Sequence, residues 1–364
     1  MAKKPFVSIV VPGFNEEEIV VDSLSRLCAH LKTLEERYRW ELIFVNDGST
    51  DRTEELARSF AAGRKNVKVL SHFTNFQLGQ ALRFAFSHCD GDIIVTIDVD
   101  LSYSPDHIES LVETMLRTHA KVVLASPYMP GGTVSNVPLL RRVLSRWANR
   151  FLSLVAKGKI STLTSMVRAY DREFITGLNL KAMDTEINPE IIYKAQLLRA
   201  RIVEIPGHLS WSPRKAGTPE RRSSMRLIRA TASALMSGFI FRPFMFFIVP
   251  GLGLLTLAVY TITWIGVNVG RVYSTVVVTG TYWDDRFAAA VGSVFRDRPH
   301  AFFVGGISLI VALQLISLGF IATQNKRYFE EIFHLGSRIM KLLLIRGNRR
   351  GHDAGDAPDK DASE

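Results

Sequence analysis

Asp98 and Asp100 are the residues of this chain best placed to do chemistry. They follow Gly91-Asp92-Ile93-Ile94-Val95-Thr96-Ile97. Residues 92–97 are short, β-branched and apolar, which predicts a buried strand of a parallel sheet. On extended chain, residues two apart point the same way, so the two carboxylates meet at one strand end. They repel each other unless a cation sits between them. Oxygen-only ligands with open positions suit Mg²⁺ or Mn²⁺ carrying a substrate phosphate. The competing reading is a pair of solvated loop aspartates, and the residues upstream favour the metal.

Upstream, strands and helices alternate with short connections. Residues 6–11 are an apolar strand closed by Pro12-Gly13-Phe14-Asn15, and a helix opens on Glu16-Glu17-Glu18. Acidic residues suit a first helical turn. Residues 40–45 form a second strand, ending in Asn46-Asp47-Gly48-Ser49-Thr50-Asp51, with Asp51 capping a helix over 52–62. A strand at 67–70, a helix over 77–89, a helix over 105–118 and a strand at 121–125 complete the series. This pattern predicts an α/β fold with a mostly parallel, doubly wound sheet. Ligands bind such sheets at the carboxyl ends of the strands. Asn15, Glu16, Asp47, Asp98 and Asp100 all fall there and should converge on one crevice. No Gly-x-Gly-x-x-Gly follows the first strand and no P-loop is present, which argues against a dinucleotide cofactor.

The chain has 364 residues and a formal net charge of +10. That balance favours a polyanionic partner. The arginines flank apolar blocks, which selects a membrane surface over nucleic acid. Two cysteines, Cys28 and Cys89, give neither a disulfide framework nor a zinc spacing, as expected in a reducing compartment. The first residues lack an apolar core, so no cleaved secretory signal is expected.

Residues 1–222 read as the soluble domain. Within it, Arg141, Arg142, Arg146 and Arg150 recur about one helical turn apart. Arg168 sits in a strand-like stretch at 164–170, and a basic, turn-rich segment carries Arg214, Arg221 and Arg222. Residues 223–242 read as an interfacial amphipathic helix. Two apolar blocks follow, 243–270 and 301–325, each longer than the roughly 20 residues that cross a hydrocarbon core. Between them, 271–300 is a loop of mixed charge. A basic amphipathic helix is expected over 326–350, and a disordered tail over 351–364. The arginines and lysines before the first block and after the second put both chain ends on the cytoplasmic side. Gly305, Gly306 and Gly319 suit close helix contact and open the possibility of a homo-oligomer through the membrane helices.

Val10-Val11-Pro12-Gly13-Phe14-Asn15-Glu16-Glu17, Val45-Asn46-Asp47-Gly48-Ser49-Thr50-Asp51 and Asp98-Val99-Asp100-Leu101-Ser102 together resemble the signatures of family 2 glycosyltransferases with the GT-A fold. One catalytic domain, a basic interfacial helix and two C-terminal spans are similar to polyprenyl-phosphate glycosyltransferases and dolichol-phosphate mannose synthases. The resemblance covers residues 6–222 by motif and the remainder by architecture. It implies that Pro12, Asn15, Glu16, Asp47 and Asn75 line the nucleotide-sugar pocket. It also implies that Asp98, Asp100 and Ser102 lie at the donor diphosphate and its metal, and that Ser165 and Arg168 lie on the acceptor side. Gln77 departs from the family pattern by standing where a glycine is usual. Thr162, Met166-Val167, Pro127 and Pro219-Glu220 also depart, mainly on the acceptor side.

The reaction so implied moves a sugar from a UDP- or GDP-linked donor to polyprenyl or dolichyl phosphate with inversion, for cell-envelope glycan or glycoconjugate synthesis. A phosphate monoester is largely dianionic at neutral pH, its second pKa being near ~6, so it needs no strong base. It needs a cationic cradle, for which Arg141, Arg168 and Arg214 are the candidates. A processive polysaccharide synthase is the first alternative, but Gln196-Leu197-Leu198-Arg199-Ala200 lacks the tryptophan of that group's motif. A non-catalytic membrane anchor with a decayed acceptor site is the second.

Overall fold

The computed structural model describes residues 4–136, 160–210, 243–278, 280, 282 and 284–355. The expected positions Arg141, Arg146, Arg150, Arg214, Arg221 and Arg222, and the expected interfacial helix over 223–242, lie outside the described residues. The chain divides into two units, Met1–Phe241 with Ile332–Glu364, and Arg242–Glu331.

The first unit is built on strands β1 (Phe6–Gly13), β2 (Arg39–Asn46), β3 (Val67–Ser71), β4 (Ile93–Thr96), β5 (Val122–Ser126), β7 (Arg168–Asp171) and β8 (Ile202–Pro206). They form one sheet in the order β3-β2-β1-β4-β7-β5-β8. β1 pairs parallel with β2 and β4, β2 with β3, and β5 with β8. The mostly parallel sheet expected from the strand–helix alternation is therefore present. β7 is the exception, antiparallel to both β4 and β5. Two short strands not legible in the sequence, β6 (Thr133–Ser135) and β9 (His208–Ser210), pair separately.

Near-continuous apolar strands explain the burial. Ile9, Val11, Leu42, Phe44 and Val95 are wholly enclosed. Helix α1 (Val20–Thr33) adds Leu24, Leu27 and Leu31 at helical spacing, and α4 (Asp106–Thr118) adds Ile108, Leu111 and Val112. Helices α2 (Thr53–Ala61) and α3 (Leu78–Phe86) complete the crossovers between β2, β3 and β4. Arg52, not the expected Asp51, is the N-cap of α2; Asp51 still accepts the Thr53 N–H at 3.0 Å just before the helix.

The second unit holds a helix over Pro243–Tyr273 and the first part of a helix over Pro299–Gly355. Both contain stretches long and apolar enough to cross a membrane, with only 11% and 17% of those stretches buried. A core helix of a soluble protein would be mostly enclosed. These helices instead present their apolar side chains outward, as lipid-facing helices do.

Three boundaries differ from the expectation. The first apolar helix continues past 270 to Tyr273. The segment 271–300 is not simply a loop, for it contains a helix over Asp285–Asp297. Asp285 suits the start of that helix and Ala288-Ala289-Ala290 its interior. Third, the expected second span and the expected helix over 326–350 are one continuous helix that reaches Gly355. Lys326 and Arg327 change the polarity there but remove no backbone hydrogen bond, and Lys326 pairs with Glu330 one turn on. The expected tail over 351–364 accordingly begins helical.

Two glycines of the second apolar block, Gly305 and Gly319, are used within the chain. A Cβ at Gly305 would meet Thr261 Oγ1 at 2.8 Å, and one at Gly319 would meet Ile248 Cγ1 at 2.4 Å. Those two positions let the long helices approach each other. A Cβ at Gly306 would meet nothing within 4 Å.

Candidate active site

Strands β1, β2, β3 and β4 of the first unit deliver polar loops at their carboxyl ends. After β1 the chain turns through Asn15, whose φ is 56°. Asn15 Oδ1 accepts the Thr50 N–H at 2.8 Å and its own N–H donates to Ser49 Oγ at 3.0 Å. The Glu16 N–H donates to Thr53 Oγ1 at 2.7 Å. These bonds knit the loop after β1 to the loop after β2. Asn15 therefore shapes the site through its neighbour loop rather than forming part of the wall.

Asp47 is buried at the end of β2. One carboxylate oxygen is held by His72 Nδ1 at 2.8 Å and by the Phe76 N–H at 3.0 Å. The His72 ring is wedged against Phe76 and Phe84, with centroids 5.1 and 4.9 Å away. Sequence reasoning missed His72; the signal was a lone histidine just past an apolar strand, next to the strand bearing Asp47.

Asp98 and Asp100 reach the site by a turn rather than by strand alternation. β4 stops at Thr96, and the Leu101 N–H closes onto the Asp98 carbonyl at 3.1 Å. Both side chains line the same crevice. Burial first, and the neighbouring Asp100 charge second, push the Asp98 carboxyl up to about 7. Ser102 donates its N–H to Asp100 Oδ1 at 2.9 Å. It supports the carboxylate through its backbone and does not line the crevice.

The crevice encloses about 1040 Å³, at the large end of small-molecule sites. One wall carries Pro12, Glu16, Asp47 and Asn75 with Asp98 and Asp100; the other carries Met183, Asp184, Thr185 and Glu186. Six of the expected site residues are thus brought together. The second wall was missed, although the Asp184-Thr185-Glu186 run just before a helix was visible. It is clamped from both sides. Glu190, in the helix Ile187–Leu197, accepts the Lys181 and Ala182 N–H groups at 2.9 and 2.8 Å. Arg83 of α3 donates to the Leu180 carbonyl at 3.0 Å. A Cβ at Gly79 would stand 2.4 Å from the Ala182 carbonyl oxygen, so only glycine permits this approach.

Gln77 also lines the crevice, with φ 72° and ψ 166°. That region is essentially reserved for glycine and costs on the order of 1–3 kcal/mol elsewhere. The Gln77 N–H is held by Asn75 Oδ1 at 3.1 Å. A side chain kept at this cost in a site wall is expected to touch ligand. Gln77→Gly should therefore raise stability by about 1 kcal/mol and weaken nucleotide-sugar binding. Thermal melts and titration calorimetry measure the two; unchanged affinity would remove Gln77 from the site.

The described crevice wall has six carboxylates, from Glu16, Asp47, Asp98, Asp100, Asp184 and Glu186, and no lysine or arginine. No group of three or more His, Cys, Asp or Glu residues able to hold a metal occurs among the described residues. Two carboxylates, one with its proton affinity raised first by burial and then by the other, nevertheless fit Mg²⁺ or Mn²⁺. Such ions are commonly bound through one or two carboxylates, with water and substrate phosphate completing the shell.

Two acceptor-side expectations change. Arg168 has no exposed surface. Its guanidinium donates to the carbonyls of Ser165 at 2.6 Å, Leu163 at 2.6 Å and Asn188 at 2.9 Å. It is spent on backbone and is not presented to a phosphate. Ser165 is buried as well, and its hydroxyl finds no hydrogen-bond partner among the described residues.

Residues 8–177 match the profile of the family described as Glycosyl transferase family 2. A dolichol-phosphate mannosyltransferase of Pyrococcus furiosus is 29% identical over 203 residues, 55% of this chain and 55% of that protein. An undecaprenyl-phosphate 4-deoxy-4-formamido-L-arabinose transferase of Edwardsiella ictaluri is 31% identical over 178 residues, 48% of this chain and 51% of that one. The matches thus span about half the length of these relatives. Among solved structures, glucosyl-3-phosphoglycerate synthase of Mycobacterium tuberculosis, in complex with Mn²⁺, uridine diphosphate and phosphoglyceric acid, is 21% identical. It covers 64% of this chain and 78% of that one, with a TM-score of 0.48.

Proposed function

The chain carries a glycosyltransferase family 2 domain over residues 8–177, and from that premise we propose that it moves a sugar from a nucleotide sugar to a polyprenyl or dolichyl phosphate in a membrane. The carrying observation is the Asp98/Asp100 pair in a crevice shared with Glu16 and Asp47. The relatives named above act on dolichol and undecaprenyl phosphates, and the two outward-facing apolar helices suit a lipid-borne acceptor.

In this reading, Pro12, Glu16, Asp47 and Asn75 hold the nucleotide, with Asp47 fixed by His72. Asp98 and Asp100 hold Mg²⁺ or Mn²⁺ at the diphosphate. When bound, that ion offsets the charge that grows on the leaving nucleoside diphosphate. The acceptor phosphate attacks the anomeric carbon in line, which inverts it. A described wall whose charged residues are all acidic repels a dianionic acceptor, so arginines must bring it in. With Arg168 enclosed, that role falls to Arg141 and Arg214. The charge pattern puts both chain ends on the cytoplasmic face, with the segment between the spans across the membrane.

The test is transfer of labelled sugar from UDP- and GDP-linked donors into an organic-extractable lipid. A lipid-linked monosugar is expected. Polymer would point to a processive synthase, and no product with any donor to an anchor. A finer test separates a phosphate contact from general surface attraction. In detergent, Arg214→Gln should lower kcat/KM for polyprenyl phosphate roughly ten- to a hundredfold, whereas Arg222→Gln should do little. Equal small effects would end the acceptor role of Arg214.

A further inference from the structure

The helix Pro243–Tyr273 has 31 residues, about 46 Å at 1.5 Å per residue. That is well beyond a hydrocarbon core of roughly 30 Å. Hydropathy alone places its far edge near Gly270. The packing of the second unit gives a different edge. Gly319 faces Ile248, Gly251 faces Ala312 and Ile316, and Gly305 faces Thr261 and Ile262. These contacts fix an antiparallel register. Continued outward, that register sets Trp264 level with Phe302, and Phe244 level with Thr323. The slab between those levels holds about 21 residues of each helix, roughly 31 Å. The polar residues then fall into place. Gln324, Asn325 and Lys326 lie just outside one edge, and Arg298 and His300 just outside the other.

Beyond Trp264 the first helix continues for two and a half turns, and the helix Asp285–Asp297 folds back along it. Ala290 and Val294 bury against Val269, with Ile265, Val272 and Phe302 around them. The Arg298 guanidinium lies over the Trp264 ring, 4.7 Å from its centre. Phe295, 42% exposed, stacks edge-on against Phe302 at 5.2 Å. The exposed apolar surface of the spans therefore continues onto Phe295, and arginines begin at that level.

We propose that the far edge of the bilayer core passes at Trp264 and Phe302, and that the two-helix pair beyond it stands on the lipid headgroups, with Phe295 at the acyl boundary and Arg296 and Arg298 on lipid phosphates. A tryptophan ring belongs at that depth, and arginine forks match phosphate oxygens. The partner is the phosphodiester layer of the leaflet opposite the one entered at Pro243. This rests on the reading that both helices cross a membrane.

Single nitroxide labels at Val259, Val267, Gly270 and Val291, in the full chain in phosphatidylcholine–phosphatidylglycerol nanodiscs, test it. Val259 should be accessible to oxygen and shielded from a water-soluble nickel complex. Val267 and Gly270 should be several-fold more accessible to nickel. Arg296→Gln with Arg298→Gln should shift the Val267 label to a greater depth. Val267 and Gly270 as shielded as Val259 would overturn the edge. An unmoved Val267 label in the double variant would overturn the phosphate contact. Dipolar broadening at Val291 would overturn the lipid assignment in favour of a second copy. Nickel access at Val259 itself would instead reject the membrane reading beneath the proposal.

Discussion

Asp100→Asn should lose at least about a hundredfold in sugar transfer, the scale on which single transition-state charge contacts act, while the protein keeps its fold. The side chain is exposed and, among the described residues, accepts the Ser102 N–H. An asparagine oxygen accepts that bond equally well, so only charge is removed. The charge matters because the described crevice wall contains no lysine or arginine to meet a diphosphate. EDTA should abolish transfer, and Mg²⁺ or Mn²⁺ should restore it. Stability supplies an independent readout. Asp98 and Asp100 repel each other and Asp98 is held against burial, so a bound cation should raise the melting temperature of the wild type. In Asp98→Asn the repulsion is gone. The metal-free variant should melt higher than metal-free wild type, and added Mn²⁺ should then shift it little. Full activity of Asp100→Asn, or a wild type indifferent to both EDTA and Mn²⁺, would remove the metal from the mechanism.

How far the site could be read beforehand depended on whether local chain carried the information. The run ending at Ile97 announced a buried strand through composition alone, and the polar loops after β1 and β2 announced themselves as strand ends. Their convergence followed from the alternation rule. The direction of β7 was not legible, because a four-residue strand such as Arg168–Asp171 reads alike in either orientation. The second wall of the crevice was equally hidden. Met183–Glu186 reaches the site because Gly79, Arg83 and Glu190 pin the preceding loop, and the Gly79 and Arg83 contacts join residues about a hundred positions apart. Gln77 was visible as a departure from glycine; the left-handed backbone behind it was not. In the apolar third, hydropathy found both long helices but misjudged where they end, since polarity ends a span without ending a helix.

The most instructive error concerns Arg168, and it yields the second large expectation. An arginine in a chain expected to take a lipid-phosphate acceptor reads as a phosphate ligand. The enclosed guanidinium reads as a strut. It ties the carbonyls of Leu163 and Ser165 to that of Asn188, at the start of the helix behind the second crevice wall. The stretch before it is held from the other side by Glu204 of β8, whose carboxylate accepts the Ser161 and Thr162 N–H groups at 2.9 and 3.2 Å. Arg168→Met would remove one charged donor from each of three buried carbonyls, each lost bond costing roughly 1.5–3 kcal/mol. Part of that returns because a desolvated charge is also removed. A net loss of about 3–5 kcal/mol is expected, lowering the melting temperature on the order of 10 °C for a domain of this size. Arg168→Lys should fall between, since one ammonium can reach some of the carbonyls but lacks the planar fork. A phosphate ligand behaves oppositely. Its loss leaves the melt unchanged and raises the acceptor KM, with lysine rescuing much of the binding. Thermal denaturation of the three proteins, followed by acceptor titration at a temperature where all remain folded, separates the two. An unshifted melt for Arg168→Met would return this residue to the acceptor site.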